Sequence, residues 1–258
     1  MTAPIPRDIP DLPAIPGVPG LLPPPVPASA VMPPVRRPVA ATLRLLTALT
    51  AAAATTLALL HGSPLPVLSL FSIQSTILLT AVLALSARRS WTARRPLPAT
   101  LRGATLLYVT IAALTHHLLA TSAPPFSGAT DPTSWQTTLA DHLIHTALPL
   151  AALLDWLLLT PPARLHLRRA STWLLYPLAY LAFTITRGEL LPANAPDRYL
   201  YPFLDIAAHG YKSTLGNALL LGLSCYALAV LLIALDHLRP NPVRPHSKTG
   251  FRLQPPVG

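Results

Sequence analysis

The stretch Ser134–Trp156, SWQTTLADHLIHTALPLAALLDW, decides how the rest of the chain is read. It is long and apolar enough for a membrane-spanning helix, since roughly 20 residues at about 1.5 Å each cover a hydrocarbon core of about 30 Å. Yet it carries Asp141, His142, His145 and Asp155. Ionisable groups inside hydrocarbon are expensive, so such residues are functional candidates by default. The stretch therefore predicts a helix that crosses a membrane and brings a polar site into it.

The surrounding chain agrees with that reading. Of 258 residues, 52% are apolar and only 11% charged, with a mean hydropathy of +0.48. Soluble domains carry about 25% charged residues, so the membrane class is favoured. Six segments have the length of spans: about Val39–Leu60, Val67–Ala87, Leu101–Thr121, Trp135–Leu159, Ala170–Thr186 and Asp205–Leu235. The expected architecture is an all-α, polytopic six-helix transmembrane bundle over residues 39–238. A disordered Pro-rich tail (1–38) and a disordered basic tail (239–258) flank it. Proline removes backbone donors and fixes φ, so the N-terminal run has no means to build a helix or ladder. That run also lacks the apolar core of a signal peptide.

The net charge of +10 could suggest nucleic acid, but the basic residues gather at the ends of apolar segments. Such placement is the positive-inside bias, and a nucleic-acid partner is not expected. Sixteen of the 19 Lys and Arg fall in the N-terminal tail with its first-span flank, the 88–102 and 164–169 loops and the C-terminal tail. The other side keeps Arg187, Arg198 and Lys212. Both termini are accordingly expected in the cytoplasm. The 17 arginines against two lysines, with abundant Ala, Leu and Pro, suit a high-GC bacterium, which places the chain in a bacterial plasma (inner) membrane among its lipids. Cys225 is alone, so neither an intramolecular disulfide nor a Cys-based zinc site is available.

Within the predicted spans, polar groups enter from the non-cytoplasmic face. Ser72, Gln74, Ser75 and Thr76 come from FSIQST in the second span, His116 and His117 from the third. Asp141, His142 and His145 come from the fourth, and Asp205, His209 and Lys212 from the sixth. Asp141 and His145 are i,i+4 neighbours, and His142 and His145 are i,i+3. That spacing suits a histidine oriented by a carboxylate, or two ligands of one metal, with His116 and His209 as further ligands. The blander reading is hydrogen bonding between helices for the histidines, and back-bonding to a helix carbonyl for Ser72. Asp155 is expected to cap its helix or pair with Arg164, Arg168 or Arg169. Glu189 is expected to pair with Arg187. Trp91, Trp135, Trp156, Trp173 and Tyr201 are expected as interfacial anchors.

The runs ADHLIHTALPLAALLDWLLLTPP, WLLYPLAYLAFTITRGEL and YLYPFLDIAAHGY resemble a bacterial family of six-span membrane proteins, the "Pr six Pr" family. That family is similar to the animal androgen-induced-gene group of fatty-ester hydrolases. The resemblance covers residues 39 to about 238. It implies a lipid or fatty-acyl ester hydrolase with its base at His145 and its nucleophile at Ser72, where the animal enzymes carry threonine. Gln74, Ser75, Asp141, His142, His116, His117, Asp205 and His209 would support the pocket, with no cofactor and no metal. The alternative is a transporter or a lipid or small-molecule binding protein using the same cleft. The charge distribution makes its own prediction: a reporter fused after His246 reads as cytoplasmic, and an extracellular reading would contradict the topology.

Overall fold

The computed structural model describes residues 36–119, 134–163, 165–195 and 198–240. Of the expected tails (1–38 and 239–258), residues 1–35 and 241–258 lie outside the described residues, as does most of the 122–134 loop, while Pro38 already belongs to the first helix. All regular elements described are helical. They are α1 (Pro38–His61), α2 (Pro64–Ser69), α3 (Phe71–Trp91), α4 (Ala99–Leu119), α5 (Trp135–Leu159), α6 (Arg168–Leu190) and α7 (Ile206–Leu238), with a 3₁₀ turn at Pro202–Leu204. Four of them, α1, α3, α5 and α7, are long and apolar enough to cross a membrane. Many leucines stand exposed along them, among them Leu46, Leu49, Leu219 and Leu223. An apolar surface of that extent has lipid as its natural solvent. The protein is thus a helical membrane protein. The helices α4 and α6 are long enough but less apolar. Arg102, His116 and His117 dilute α4, and Ser, Thr, Tyr and Pro177 dilute α6.

Small residues set how closely the helices approach. The buried face of α1 is Ala41, Ala48, Ala51, Ala54 and Ala58, at helical spacing, and it packs on α3. A stripe of alanine lets two backbones come together where larger side chains would hold them apart. Gly103 does the same between α4 and α6, because a Cβ there would come within 2.6 Å of the Trp173 ring. In α7, Gly210 takes φ +74 and kinks the helix, a backbone state that glycine reaches at little cost.

Threonine hydroxyls in these helices mostly bond the carbonyl four residues back, as Thr47, Thr55, Thr80, Thr105 and Thr184 do. Proline creates the opposite problem. It has no N–H, so a helix proline strands the carbonyl four residues earlier. In α5, Pro149 strands the carbonyl of His145; in α6, Pro177 strands that of Trp173. Both acceptors are met from α4. His117 Nε2–H reaches the His145 carbonyl at 3.2 Å, and the Tyr108 hydroxyl donates to the Trp173 carbonyl at 2.9 Å. The α5 backbone also widens into a π-turn over Leu143–Ala147, just before the proline. The helix α4 is therefore fastened to both broken helices at the points where they break.

A second polar anchor lies at the far end of α5. Of the partners expected for Asp155, Arg164 lies outside the described residues and Arg168 and Arg169 do not pair with it; the carboxylate is held by Arg44 of α1. Arg44 Nε meets Asp155 Oδ1 at 2.7 Å and its Nη2 meets Oδ2 at 3.4 Å. Thr160 Oγ1 donates to the same oxygen at 3.2 Å. The partner sits 111 residues away in sequence, beyond the reach of helical spacing rules. Beside this pair, Asp236 accepts from Arg239 at 2.8 Å and from the amides of Ala163 and Leu165. Arg239 also donates to the Trp156 carbonyl and lies over its ring, 4.1 Å from the centroid. Trp156 and Trp173 are buried and do not act as surface anchors, whereas Trp91 and Trp135 are exposed.

The proline account is tested by a double-mutant cycle. Tyr108→Phe keeps the ring but strands the Trp173 carbonyl, at a cost of about 1–3 kcal/mol. Pro177→Ala, by restoring an N–H to that carbonyl, recovers most of the loss in the Tyr108→Phe background, measured by thermal denaturation in detergent. Simple additivity of the two substitutions would contradict the account.

Candidate functional site

The π-turn and Pro149 place the polar groups of α5 differently from a regular helix. Asp141 and His145 meet across the i,i+4 spacing: Oδ1 of Asp141 lies 2.9 Å from Nδ1 of His145. His142 does not join them. It is exposed while His145 is buried, because the widened turn separates residues three apart. The expectation that His142 and His145 share one face is corrected accordingly.

From α4, His116 completes the cluster. Its Nε2 lies 3.4 Å from the second oxygen of Asp141, and its ring stacks on that of His145 with centroids 3.9 Å apart and planes 9° apart. His117 stands edge-on to His116 and is exposed, bonding the His145 carbonyl and, at 3.1 Å, the Thr146 hydroxyl. One carboxylate thus faces two imidazoles and hydrogen-bonds that of His145. With Nδ1–H of His145 directed at Asp141, its Nε2 carries the lone pair. That nitrogen makes no hydrogen bond with a described residue.

Three ligand atoms from His116, Asp141 and His145 lie within 4.8 Å of one another, close enough for one cation. Imidazole lone pairs lie in the ring plane, however, and an ion midway between two stacked parallel rings lies off both planes. One ring would have to rotate before both bound an ion well.

The second element of the site is the start of α3. The expected second span does not run unbroken from Val67. Leu70 is extended, at φ −72 and ψ 134, and a new helix starts at Phe71. Two tyrosines hold the break open: Tyr180 donates to the Ser69 carbonyl at 2.7 Å, and the Phe71 amide donates to the Tyr201 hydroxyl at 3.3 Å. Burial pushes the Tyr201 phenol well above its ordinary range, so it stays neutral. Tyr201 is therefore an interior brace, not the interfacial anchor its sequence position suggested. Ser72 consequently sits in the first turn of a helix, where amide N–H groups have no intrahelical acceptor.

Within FSIQST the hydroxyls divide. Ser75 bonds the carbonyls of Phe71 and Ser72, and Thr76 bonds that of Ser72. The Gln74 carbonyl oxygen accepts from Tyr176 at 2.7 Å, and its amide donates to the Leu68 carbonyl. These three are structural. The Ser72 hydroxyl bonds no described residue, so the back-bonding expected of it belongs to its neighbours.

Ser72, His116 and His145 all line one cavity of about 220 Å³ between α3, α4, α5, α6, the 199–204 segment and α7. Thr115, which the sequence reading passed over, adds an unbonded hydroxyl beside His116. The rest of the wall is mostly apolar, including Phe71, Ile111, Leu178, Phe203, Leu221 and Cys225. Ser72 and His145 share this wall without a hydrogen bond between them. The cavity wall thus sets Ser72, Thr115, His116 and His145 into a mostly apolar lining.

Asp205 and His209 do not reach it. Asp205 caps α7 by accepting from the Ala208 amide at 3.1 Å, and exposed His209 bonds the Asp205 carbonyl. Glu189 accepts from the hydroxyls of Tyr199 and Tyr211, with Arg198 at 4.0 Å. No family model matches the chain, nor does any curated protein or any solved structure. The site must therefore be read from its own geometry.

Proposed function

We propose that this chain is a six-span protein of a bacterial plasma membrane, with both termini cytoplasmic, that hydrolyses a long-chain acyl ester inside the cavity. The observation carrying this reading is that the one unbonded hydroxyl of FSIQST and the free Nε2 of an Asp-oriented histidine line the same largely apolar cavity. A fatty-acyl chain fits the apolar lining, and an ester group fits next to Ser72 and His145. The lipid bilayer around the bundle is the source of such a substrate.

The chemistry follows from the two groups. A serine hydroxyl is a weak nucleophile until a base takes its proton. His145 Nε2 supplies that base once substrate closure, or one bridging water, brings the two groups into contact. As Ser72 Oγ attacks the ester carbonyl, its proton passes to Nε2, and Asp141 steadies the imidazolium through Nδ1–H. With the Phe71 amide held by Tyr201, the Ser72 and Ile73 amides in the first turn of α3 are the donors available to the alkoxide that develops on the carbonyl oxygen, favoured by the positive end of the helix dipole. His145 then protonates the departing alcohol. Water, deprotonated by the same nitrogen, releases the fatty acid and regenerates Ser72. His116 shares the carboxylate and, by stacking on His145, fixes the plane of its ring.

Turnover of a long-chain p-nitrophenyl ester by the purified protein tests the reading. Ser72→Ala and His145→Ala each lower turnover by roughly 10²–10⁴-fold. Ser72→Ala leaves thermal stability near wild type, whereas His145→Ala, which leaves an Asp141 oxygen unmet, also lowers it by about 1–3 kcal/mol. Asp141→Asn, which favours the wrong tautomer, lowers it as well. Undiminished turnover in both alanine variants would overturn the proposal. Retained binding of a long-chain ligand in a protein without turnover would instead identify a transport or binding protein.

A further inference from the structure

At the end of the bundle remote from this site, the charges do not balance within the protein. The charged groups around Arg102 of α4 are Arg44, Arg239, Asp155 and Asp236. Three guanidinium groups therefore face two carboxylates. Both carboxylates are already engaged, Asp155 by Arg44 and Thr160, Asp236 by Arg239 and two backbone amides. Arg102 makes no side-chain hydrogen bond with a described residue, and its Nε is buried without a partner.

Ser86 of α3 is the second unpaired group. It is 5% exposed, and its hydroxyl has no partner among the described residues. Thr76 and Thr80, earlier on the same helix, bond the carbonyl four residues back. Ser86 does not, so its O–H is left available. Both residues line a small cavity of about 30 Å³, together with Leu83, Thr105, Asp155 and Thr160. Arginine can only donate, and the Ser86 hydroxyl is free to donate. A cavity with two unmet donors and one uncompensated positive charge calls for a single acceptor that carries negative charge. The space, about 30 Å³, suits a monatomic ion better than a phosphate headgroup.

We propose that this cavity holds a monatomic anion, chloride in size and charge, bound by Arg102 Nε–H and Ser86 Oγ–H. The ion neutralises the third arginine and closes the polar cluster that ties α1, α3, α4, α5 and α7 together. Asp155, also on the cavity wall, is paired with Arg44 and accepts from Thr160, which offsets its charge. The site is independent of the ester chemistry and stands or falls separately from it.

Thermal denaturation of the full-length protein in detergent, in sodium chloride against sodium gluconate at equal ionic strength, tests the proposal. Chloride raises the Tm of the wild type in a saturable manner, bromide substitutes for it, and gluconate, too large for the cavity, does not. Arg102→Gln and Ser86→Ala each weaken the apparent chloride affinity by roughly tenfold or more, the size expected when a hydrogen bond to a charged group is lost. Equal Tm values for the wild type in the two salts would overturn the proposal and leave the cavity to water. An undiminished chloride response in Arg102→Gln would overturn it too. If Arg102→Gln fails to fold, Ser86→Ala decides alone, and an unchanged chloride response in that variant overturns the assignment.

Discussion

Asp141 is one carboxylate shared by two imidazoles, and the arrangement of the bundle around the cavity depends on that sharing. A carboxylate in an apolar helix has no water to fall back on, so its oxygens must be satisfied by the protein. One oxygen accepts from His145 on its own helix, and the other lies 3.4 Å from Nε2 of His116 on α4. The same helix α4 supplies His117 and Tyr108 to the two carbonyls that Pro149 and Pro177 leave open. Three constraints of one kind, each a polar group that lipid cannot satisfy, thus fix α4 against α5 and α6. The cavity is what remains between these helices, α3 and α7.

The energetic logic carries over to chemistry. Hydrogen bonds that satisfy structural groups also decide which groups stay free. Ser75, Thr76 and Gln74 are consumed by backbone and tyrosine partners, which leaves the Ser72 hydroxyl. Asp141 takes Nδ1 of His145, which leaves Nε2. Tyr180 and Tyr201 stabilise the break at Leu70, which sets Ser72 in a first turn with amides to spare. A reactive pair in the proposed hydrolase is the residue of this bookkeeping, with substrate or a single water completing its contact.

Much of this was legible in the sequence and some of it was not, for physical reasons. Helical spacing is local, so the Asp141–His145 pair and the apolar helices could be read directly. The depth of His116 pointed at the same region. Tertiary contacts have no such signature: Arg44 finds Asp155 across 111 residues, and two tyrosines from beyond α5 break the second apolar segment at Leu70. His142 was grouped with His145 by regular helix geometry, although Pro149, four residues after His145, was the available sign that the turn would deform. His116 and His117 of α4 and Tyr176 and Tyr180 of α6, which belong to the cluster and its braces, are among the residues that lower the apolar character of these two helices.

The most direct test of the central claim is chemical. A long-chain fluorophosphonate reacts with a serine only where a base has activated its hydroxyl, and peptide mass spectrometry locates the adduct. The account predicts a single adduct at Ser72 in the purified full-length protein, lost in His145→Ala. Labelling of Ser72 to the same extent in His145→Ala, or no adduct at Ser72 at all, would contradict it.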